Sequence, residues 1–303
     1  MRRIRSVITS PWLGFVLLAG TIAVAVWSLR HVPEASPVPV LLGLVPYAVA
    51  KYVLCPLRWR ALSMGGQTRW WYLRAYAESE LLGLAAPVHA AADLWRVRRL
   101  VGVGLGRAPA LAEVGLDRLV SVAGIAVGVV LTGMALPPRV LLAFVLVAVL
   151  AVGVLLVIRW RRPEWLVHRP LPSPPALLYG LAISVAYQAA VAGLIFGTAI
   201  GVGGPVDPLG LVTVFAASQL ASIVPRIGTA DPHNAALAVG LVSLGASWTE
   251  AIGAVALFAV LPWAPALLFG GASFCARWIA SVRATRASHA AHDQGVPQVV
   301  LTT

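Results

Sequence analysis

The sequence predicts an all-α membrane protein: a polytopic helical bundle of about six full spans, with two re-entrant helical hairpins arranged as an inverted repeat. Hydrophobic residues make up 59% of the 303 positions and charged residues only 11%, a balance typical of a chain whose solvent is the bilayer. Long apolar runs recur from Trp12 to Phe274, and two further apolar segments are broken by proline and polar residues. We therefore expect one membrane domain over residues 1–280, followed by a disordered cytoplasmic tail over residues 281–303.

Six apolar runs are long enough to cross a bilayer, which requires about 20 helical residues. They extend over Trp12–Leu29, Val38–Cys55, Leu116–Leu136, Val140–Ile158, Ala176–Ile200 and Trp248–Phe274. Arginines cluster before the first run and after the second, fourth and sixth runs. Because arginine is enriched in short cytoplasmic loops, this pattern places both termini in the cytoplasm. The net charge of +12 is explained by these clusters, so nucleic acid is not an expected partner.

Two apolar segments do not have the pattern of plain spans. They are Tyr76–His89 and Leu209–Leu244, each interrupted by proline and polar residues. If the first segment crossed the membrane, the arginines that follow it, from Arg96 to Arg107, would lie outside, against the positive-inside bias. A hairpin that enters the membrane and returns keeps them in the cytoplasm. Two short ordinary spans in each place are the alternative.

The two broken segments share a pattern of leucine, proline and aspartate with identical spacing. Leu82-x4-Pro87-x5-Asp93 recurs as Leu220-x4-Pro225-x5-Asp231, and with one residue inserted Leu105-Gly106 aligns with Leu244-Gly245. Three full spans lie between the two copies, so the copies would have opposite orientations in the membrane. Inverted repeats of this kind are common in carriers, where paired broken helices meet near the midplane.

Acidic residues in the first broken segment are candidate site residues, because a carboxylate facing hydrocarbon costs several kcal/mol. Glu78 and Glu80 both lie there. The alternative is that both lie near the cytoplasmic surface and pair with Arg74 or Arg69.

Two acid–arginine combinations follow the first break. Asp93 and Arg96 lie three residues apart and can share a helix face, where the nearby arginines would supply donors for a phosphate. Asp117 and Arg118 open the third span, where both need partners from neighbouring segments. An ordinary loop with a local ion pair is the alternative for the first combination, and a structural clasp for the second.

The second broken segment contains a proline, a glycine and two opposite charges within seven residues. These are Pro225, Arg226, Gly228 and Asp231, which we take as the preferred single site element. A polar extracellular turn is the alternative. No metal-ligand spacing, phosphate-binding glycine loop or nucleophile motif is present in the sequence, so neither a cofactor nor enzymatic activity is expected.

At these residues the sequence resembles the flippase-like transmembrane region of lysylphosphatidylglycerol synthases (multiple peptide resistance factors) and of many stand-alone bacterial and archaeal membrane proteins. The similarity covers most of Val40 to Gly271. It rests on Arg58-Trp59-Arg60-Ala61-Leu62, on Pro87 through Asp93 to Arg96, on Asp117-Arg118 in place of the usual Glu-Arg, and on Pro225 through Gly228 to Asp231. The second hairpin lacks the usual glycine-rich turn and glutamate, and no soluble aminoacyltransferase domain follows the last span.

The resemblance implies a carrier in the bacterial inner membrane that moves an anionic phospholipid or a lipid-linked envelope precursor between leaflets. In that function Arg58, Arg96, Arg118 and Arg226 would meet phosphate, and the neighbouring aspartates would hold these arginines. A non-transporting membrane anchor or regulatory partner of an envelope-biosynthesis enzyme is the second hypothesis. A membrane-embedded transferase is the third, disfavoured because the sequence lacks a catalytic constellation.

Overall fold

The computed structural model describes residues 36–85, 90–132, 172–204, 207–221 and 232–293, together with isolated helical positions within 19–30 and 142–161. These described residues form α-helices joined by short turns, and no strand occurs among them. The described helices are α1 (Pro37–Leu62), α2 (Arg69–Ala85), α3 (Ala90–Val101), α4 (Arg107–Thr132), α5 (Pro174–Gly201), α6 (Pro208–Ala221), α7 (Pro232–Ser243), α8 (Trp248–Val260) and α9 (Ala272–Asp293). The all-α prediction is confirmed for this part of the chain.

Three helical segments in the described part of the chain are long and apolar enough to cross a membrane. They are Pro37–Leu62, Pro174–Gly201 and Trp248–Ala280, which correspond to the second, fifth and sixth predicted spans. α4 is 26 residues long but carries ionised side chains in its first half, so it does not meet the same apolar criterion. The predicted spans Trp12–Leu29 and Val140–Ile158 lie almost entirely outside the described residues, and a total of six stays a prediction.

The last of these three segments, Trp248–Ala280, is interrupted in its middle and continues as helix beyond its apolar part. A turn at Leu261–Pro262 and a π-helical stretch, Ala266–Gly271, separate α8 from α9. α9 continues to Asp293, so helix extends beyond Ser281, where the sequence predicts the start of a disordered tail.

Close backbone contact between α1 and α5 forms the centre of the described bundle. A Cβ added to Gly43 would lie 2.6 Å from the carbonyl oxygen of Gly193, and Gly197 similarly meets the carbonyl of Pro39. Membrane helices lack a hydrophobic driving force towards one another, so small residues that permit such approach stabilise their association by van der Waals contact. α4 and α8 then pack on α5 from its other sides.

Each broken apolar segment forms two short helices that pack against each other. α2 packs on α3, and α6 packs on α7. The connections between them, residues 86–89 and 222–231, lie outside the described residues. Each pair follows a long helix and is followed by a glycine turn and another long helical segment, α4 after the first pair and Trp248–Ala280 after the second. In these turns Gly104 and Gly245 have positive φ, a conformation that glycine adopts without steric cost.

The two glycine turns align the pairs differently from the sequence comparison. The amide of Leu105 donates to the carbonyl of Leu100, and the amide of Ala246 donates to the carbonyl of Leu241 in the same way. Gly104 therefore corresponds to Gly245, two residues away from the predicted match of Gly106 with Gly245. A similar turn with positive φ at Gly203 ends α5, so this geometry is a general helix ending in the described chain.

Two π-helical stretches contact α2. α1 contains the π-helical stretch Ala50–Leu54, and the second stretch, Ala266–Gly271, packs directly on α2. The rings of Tyr52 and Phe269, one from each stretch, have centroids 5.3 Å apart. α2 is therefore held in the described bundle by two locally widened helices.

Candidate functional site

A buried charge network is the most distinctive polar feature of the described chain. Its centre is Asp117 on α4, whose two carboxylate oxygens accept hydrogen bonds from Arg58 Nε at 2.8 Å and Nη2 at 3.1 Å. This is the bidentate geometry in which a guanidinium binds a carboxylate most strongly. Both side chains are at least 97% buried, so the pair is removed from solvent and lipid alike.

Arg96 on α3 extends this network into the first helix pair. Its Nη1 lies 3.2 Å from Asp117, its Nη2 donates to Glu80 at 2.8 Å, and its Nε donates to Ser79 at 3.0 Å. The guanidinium also lies over the ring of Tyr76, with 4.1 Å between its central carbon and the ring centroid. Arg96 thus joins α2, α3 and α4 through one side chain.

Lys51 forms the more accessible end of the network. Its Nζ lies 2.9 Å from Glu80 Oε2, and it also donates to the hydroxyl of Tyr187 on α5 at 3.3 Å. The Lys51 and Glu80 side chains are 17% and 14% exposed, compared with 1% for Arg96. Ser184 on α5 closes the opposite end by accepting a hydrogen bond from Arg58.

The network carries more positive than negative charge. Lys51, Arg58 and Arg96 face only two carboxylates, Glu80 and Asp117, among the described residues. Buried ions require partners, because desolvation costs several kcal/mol for each ion. Each of these five charged groups has a partner of opposite charge. One positive charge nevertheless remains in excess where α1, α2, α3, α4 and α5 meet.

Arg118 and Asp93 form a separate, more exposed pair beside this network. Arg118 Nη2 lies 2.9 Å from Asp93, and the two side chains are 48% and 32% exposed. The sequence pattern suggested the pairs Asp93–Arg96 and Asp117–Arg118, and neither forms. Arg96 instead binds Glu80 and Asp117, and Asp117 binds Arg58 and Arg96. Successive residues point in different directions on a helix, so Asp117 and Arg118 find partners on different neighbours.

Glu78 anchors a second cluster that connects α2, α3 and α9. It is fully buried, and it accepts hydrogen bonds from Ser273 at 2.8 Å, from Arg277 at 2.7 Å and from the indole of Trp95 at 3.0 Å. The alternative pairing of Glu78 and Glu80 with Arg74 or Arg69 is therefore wrong, because both carboxylates turn inward to cations on other helices.

Glu113 is a third buried acid, and it closes the loop between α1 and α2. Its carboxylate accepts hydrogen bonds from the indole of Trp59, from the hydroxyl of Ser63 and from the amide of Met64. Tyr72 donates to the same Ser63 hydroxyl. These hydrogen bonds tie the end of α1 and the residues that follow it to α4, so they hold the loop between α1 and α2 in place.

The structure places six of the eleven predicted site residues in these pairs and clusters. They are Arg58, Glu78, Asp93, Arg96, Asp117 and Arg118. The other five, Pro87, Pro225, Arg226, Gly228 and Asp231, lie outside the described residues. No group of three or more histidine, cysteine, aspartate or glutamate residues that could hold a metal ion occurs in the described part of the chain.

Three members of these clusters were not predicted as site residues: Lys51, Ser184 and Arg277. A usable signal existed for Lys51, since it is the one charged residue within the apolar run Val38–Cys55, and an intramembrane cation requires a partner. Ser184 lies in an apolar helix with no pattern that distinguishes it. No protein-family model matches this chain, and no curated protein matches it in sequence.

Proposed function

We propose that this protein is a carrier that moves an anionic phospholipid or a lipid-linked envelope precursor across the membrane. The observation that carries the proposal is the buried network of Lys51, Arg58 and Arg96, which has an excess positive charge among apolar helices. A passive anchor does not require such a costly arrangement, whereas a phosphate headgroup crossing the bilayer needs cations along its path.

The arrangement of the helices supports an alternating-access mechanism. α2 packs on α3, and α6 packs on α7, so each broken segment contains the paired helices that a re-entrant hairpin requires. The repeated order of long helix, helix pair, glycine turn and long helix supports an inverted repeat, in which one half rocks against the other.

In this mechanism the phosphate competes with carboxylates for the same guanidinium groups. A headgroup that binds Lys51 at the accessible end would take one partner from Glu80, and its negative charge would repel the Glu80 carboxylate from Arg96 as well. Release of Glu80 would loosen α2 from α1 and α3, because Glu80 contacts both through its two oxygens. Binding and helix movement would thereby be coupled through one carboxylate.

The direct test is lipid scrambling in proteoliposomes that contain the purified chain and a fluorescent anionic lipid. Replacing Lys51 with methionine keeps most of the side-chain volume and removes the accessible cation. We expect at least about tenfold slower scrambling, which corresponds to about 1.4 kcal/mol of lost transition-state stabilisation. Arg283→Met changes an exposed arginine in the middle of α9 and should leave the rate unchanged. Equal rates for the Lys51 variant and the unaltered chain would refute this assignment.

A second candidate function is a non-transporting partner of an envelope-biosynthesis enzyme. One observation favours it: every ionised side chain of the buried network already has a partner, as expected for a structural clasp. In that function the purified chain moves no lipid at all, and a stoichiometric enzyme copurifies with it from native membranes.

A further inference from the structure

Two arginines, one from α3 and one from α9, lie over a single indole, and a third arginine lies beside them on α3. The guanidinium carbon of Arg98 lies 5.6 Å from the ring centroid of Trp95, and that of Arg277 lies 5.5 Å from it. Arg99 lies one position further along α3, with its guanidinium over the ring of Trp71. Two cations from distant parts of the chain thus share the Trp95 indole, and a third stacks on the neighbouring Trp71.

Two of these arginines, Arg277 and Arg99, share one carboxylate in the described part of the chain. Glu78 Oε2 lies 2.7 Å from Arg277 Nη1 and 3.5 Å from Arg99 Nε, and it also accepts the Trp95 indole N–H. Three positive charges therefore face one negative charge. The surplus of two positive charges matches a phosphate monoester, which carries close to two negative charges at neutral pH.

Hydrogen-bond donors remain available at this cluster. The Nε of Arg99 is buried and makes no hydrogen bond, and the guanidinium of Arg98 makes none to any described residue. The side chains can be reached: Arg277 is 42% exposed, Arg99 is 21% exposed, and Arg98 is exposed. A guanidinium presents a planar fork of donors that fits the oxygens of a phosphate group.

Apolar residues beside the cluster indicate that the phosphate belongs to a lipid. Trp278 and Ile279 follow Arg277 directly and are 69% and 43% exposed, and Leu268 on the preceding π-helical stretch is 65% exposed. Exposed apolar side chains on a spanning segment face acyl chains, and tryptophan is enriched at headgroup depth. A cationic cluster bordered by such residues can hold a headgroup while the acyl chains lie along α9.

We propose that Arg98, Arg99 and Arg277, which contact either Trp95 or Glu78, form a surface site for the phosphomonoester headgroup of an anionic lipid. This site is distinct from the buried network of Lys51, Arg58 and Arg96. It uses different cations and a different carboxylate, Glu78, and it requires no transport. Loss of binding here and loss of scrambling at the buried network are therefore separate results.

Calorimetric titration of the full chain in neutral detergent tests the site. The probes are short-chain phosphatidic acid, phosphatidylcholine of the same chain length, and inorganic phosphate. We expect phosphatidic acid to bind and phosphatidylcholine not to bind. Arg98→Gln should weaken phosphatidic acid binding severalfold, and Arg98→Gln combined with Arg99→Gln at least tenfold. The control Arg283→Gln, on α9 but away from Trp95, should leave the affinity unchanged.

Each outcome bears on the proposal. If phosphatidic acid fails to bind, or if Arg283→Gln weakens binding as much as Arg98→Gln, the site is refuted. Arg98 is exposed and makes no hydrogen bond to described residues, so its single variant should fold even where the double variant does not. Inorganic phosphate that binds with the same arginine dependence identifies a free phosphate as the ligand of this site. Phosphatidic acid binding without inorganic phosphate binding identifies a lipid.

Discussion

The two helix pairs occupy the same place in the order of the chain but are stabilised by different forces. α2 and α3 contain buried Glu78 and Arg96 and the largely buried Glu80, whereas the described residues of α6 and α7 include no acid or base apart from His233. The second pair is instead packed through buried leucines such as Leu237 and Leu241. The comparison teaches that similar helix order can be maintained by charge in one half and by apolar contact in the other.

This difference determines how each pair responds to substitution. A charge network fails when one member is removed, because the remaining ions are then buried without a partner. An apolar interface loses stability in proportion to the volume removed.

The largest effect is expected for Asp117→Ala. This change leaves the buried guanidiniums of Arg58 and Arg96 without their shared carboxylate and should lower the free energy of unfolding by about 3–5 kcal/mol. Denaturant titration in detergent measures it. An effect as small as that of a surface substitution would mean that the network does not stabilise the first half.

A smaller effect is expected for Leu237→Ala in α7. Leu237 is 1% exposed, and its truncation should cost about 2–3 kcal/mol, at the lower end of the range for buried leucine. Val239→Ala is the matched control on the same helix, since Val239 is 59% exposed. The same titration compares them, and equal costs would contradict apolar packing of the second pair.

The contact between α6 and α7 can also be tested by adding a methyl group. A Cβ at Gly240 would lie 3.1 Å from Val214 Cβ and closer to its methyl groups, so Gly240→Ala should cost about 1–3 kcal/mol. Gly115→Ala on α4 meets nothing within 4 Å and should instead be stabilising by about 0.5–1 kcal/mol, the usual gain for glycine within a helix. Thermal unfolding measures both. A lower melting temperature for Gly240→Ala with a higher one for Gly115→Ala would support the tight contact, and shifts in the same direction would contradict it.

The smallest effect is expected at the exposed pair of the first half. Asp93→Asn removes the partner of Arg118, but both side chains are about a third or more exposed. We expect a loss of at most about 1 kcal/mol, and less at high salt because surface pairs are screened. Unfolding at low and high salt measures this. A loss as large as that for Asp117→Ala would remove the distinction between the buried and exposed pairs.

The sequence predicted the helices of the fold better than their mutual contacts. The long apolar helices follow from hydrophobic length, which acts locally, whereas the breaks predicted near Pro87 and Pro225 lie outside the described residues. The partners of Glu80 could not be predicted, because they depend on which faces of α1, α2 and α3 pack together. Arg58 and Asp117 were both candidates, yet only the structure brings them together across 59 residues of chain.

Residues without a local pattern were the hardest to identify. Arg277 contacts Glu78 from the far end of the chain, and nothing around it distinguishes it from the other arginines that follow a span. Lys51 could have been found by asking what a lone cation does within an apolar run. Long-range pairing is therefore the part of the site that sequence periodicity does not contain.

The π-helical stretch in α1 sets the rotational phase between the two halves of that helix. Its N-terminal half presents Gly43 to α5, and its C-terminal half presents Arg58 to Asp117. Deleting one residue from Ala50–Leu54 would turn one half relative to the other by about 100°, the rotation that one residue contributes to an α-helix. The glycine contact and the ion pair could then not form together. A wide turn of five residues thus keeps helix packing and charge pairing in register.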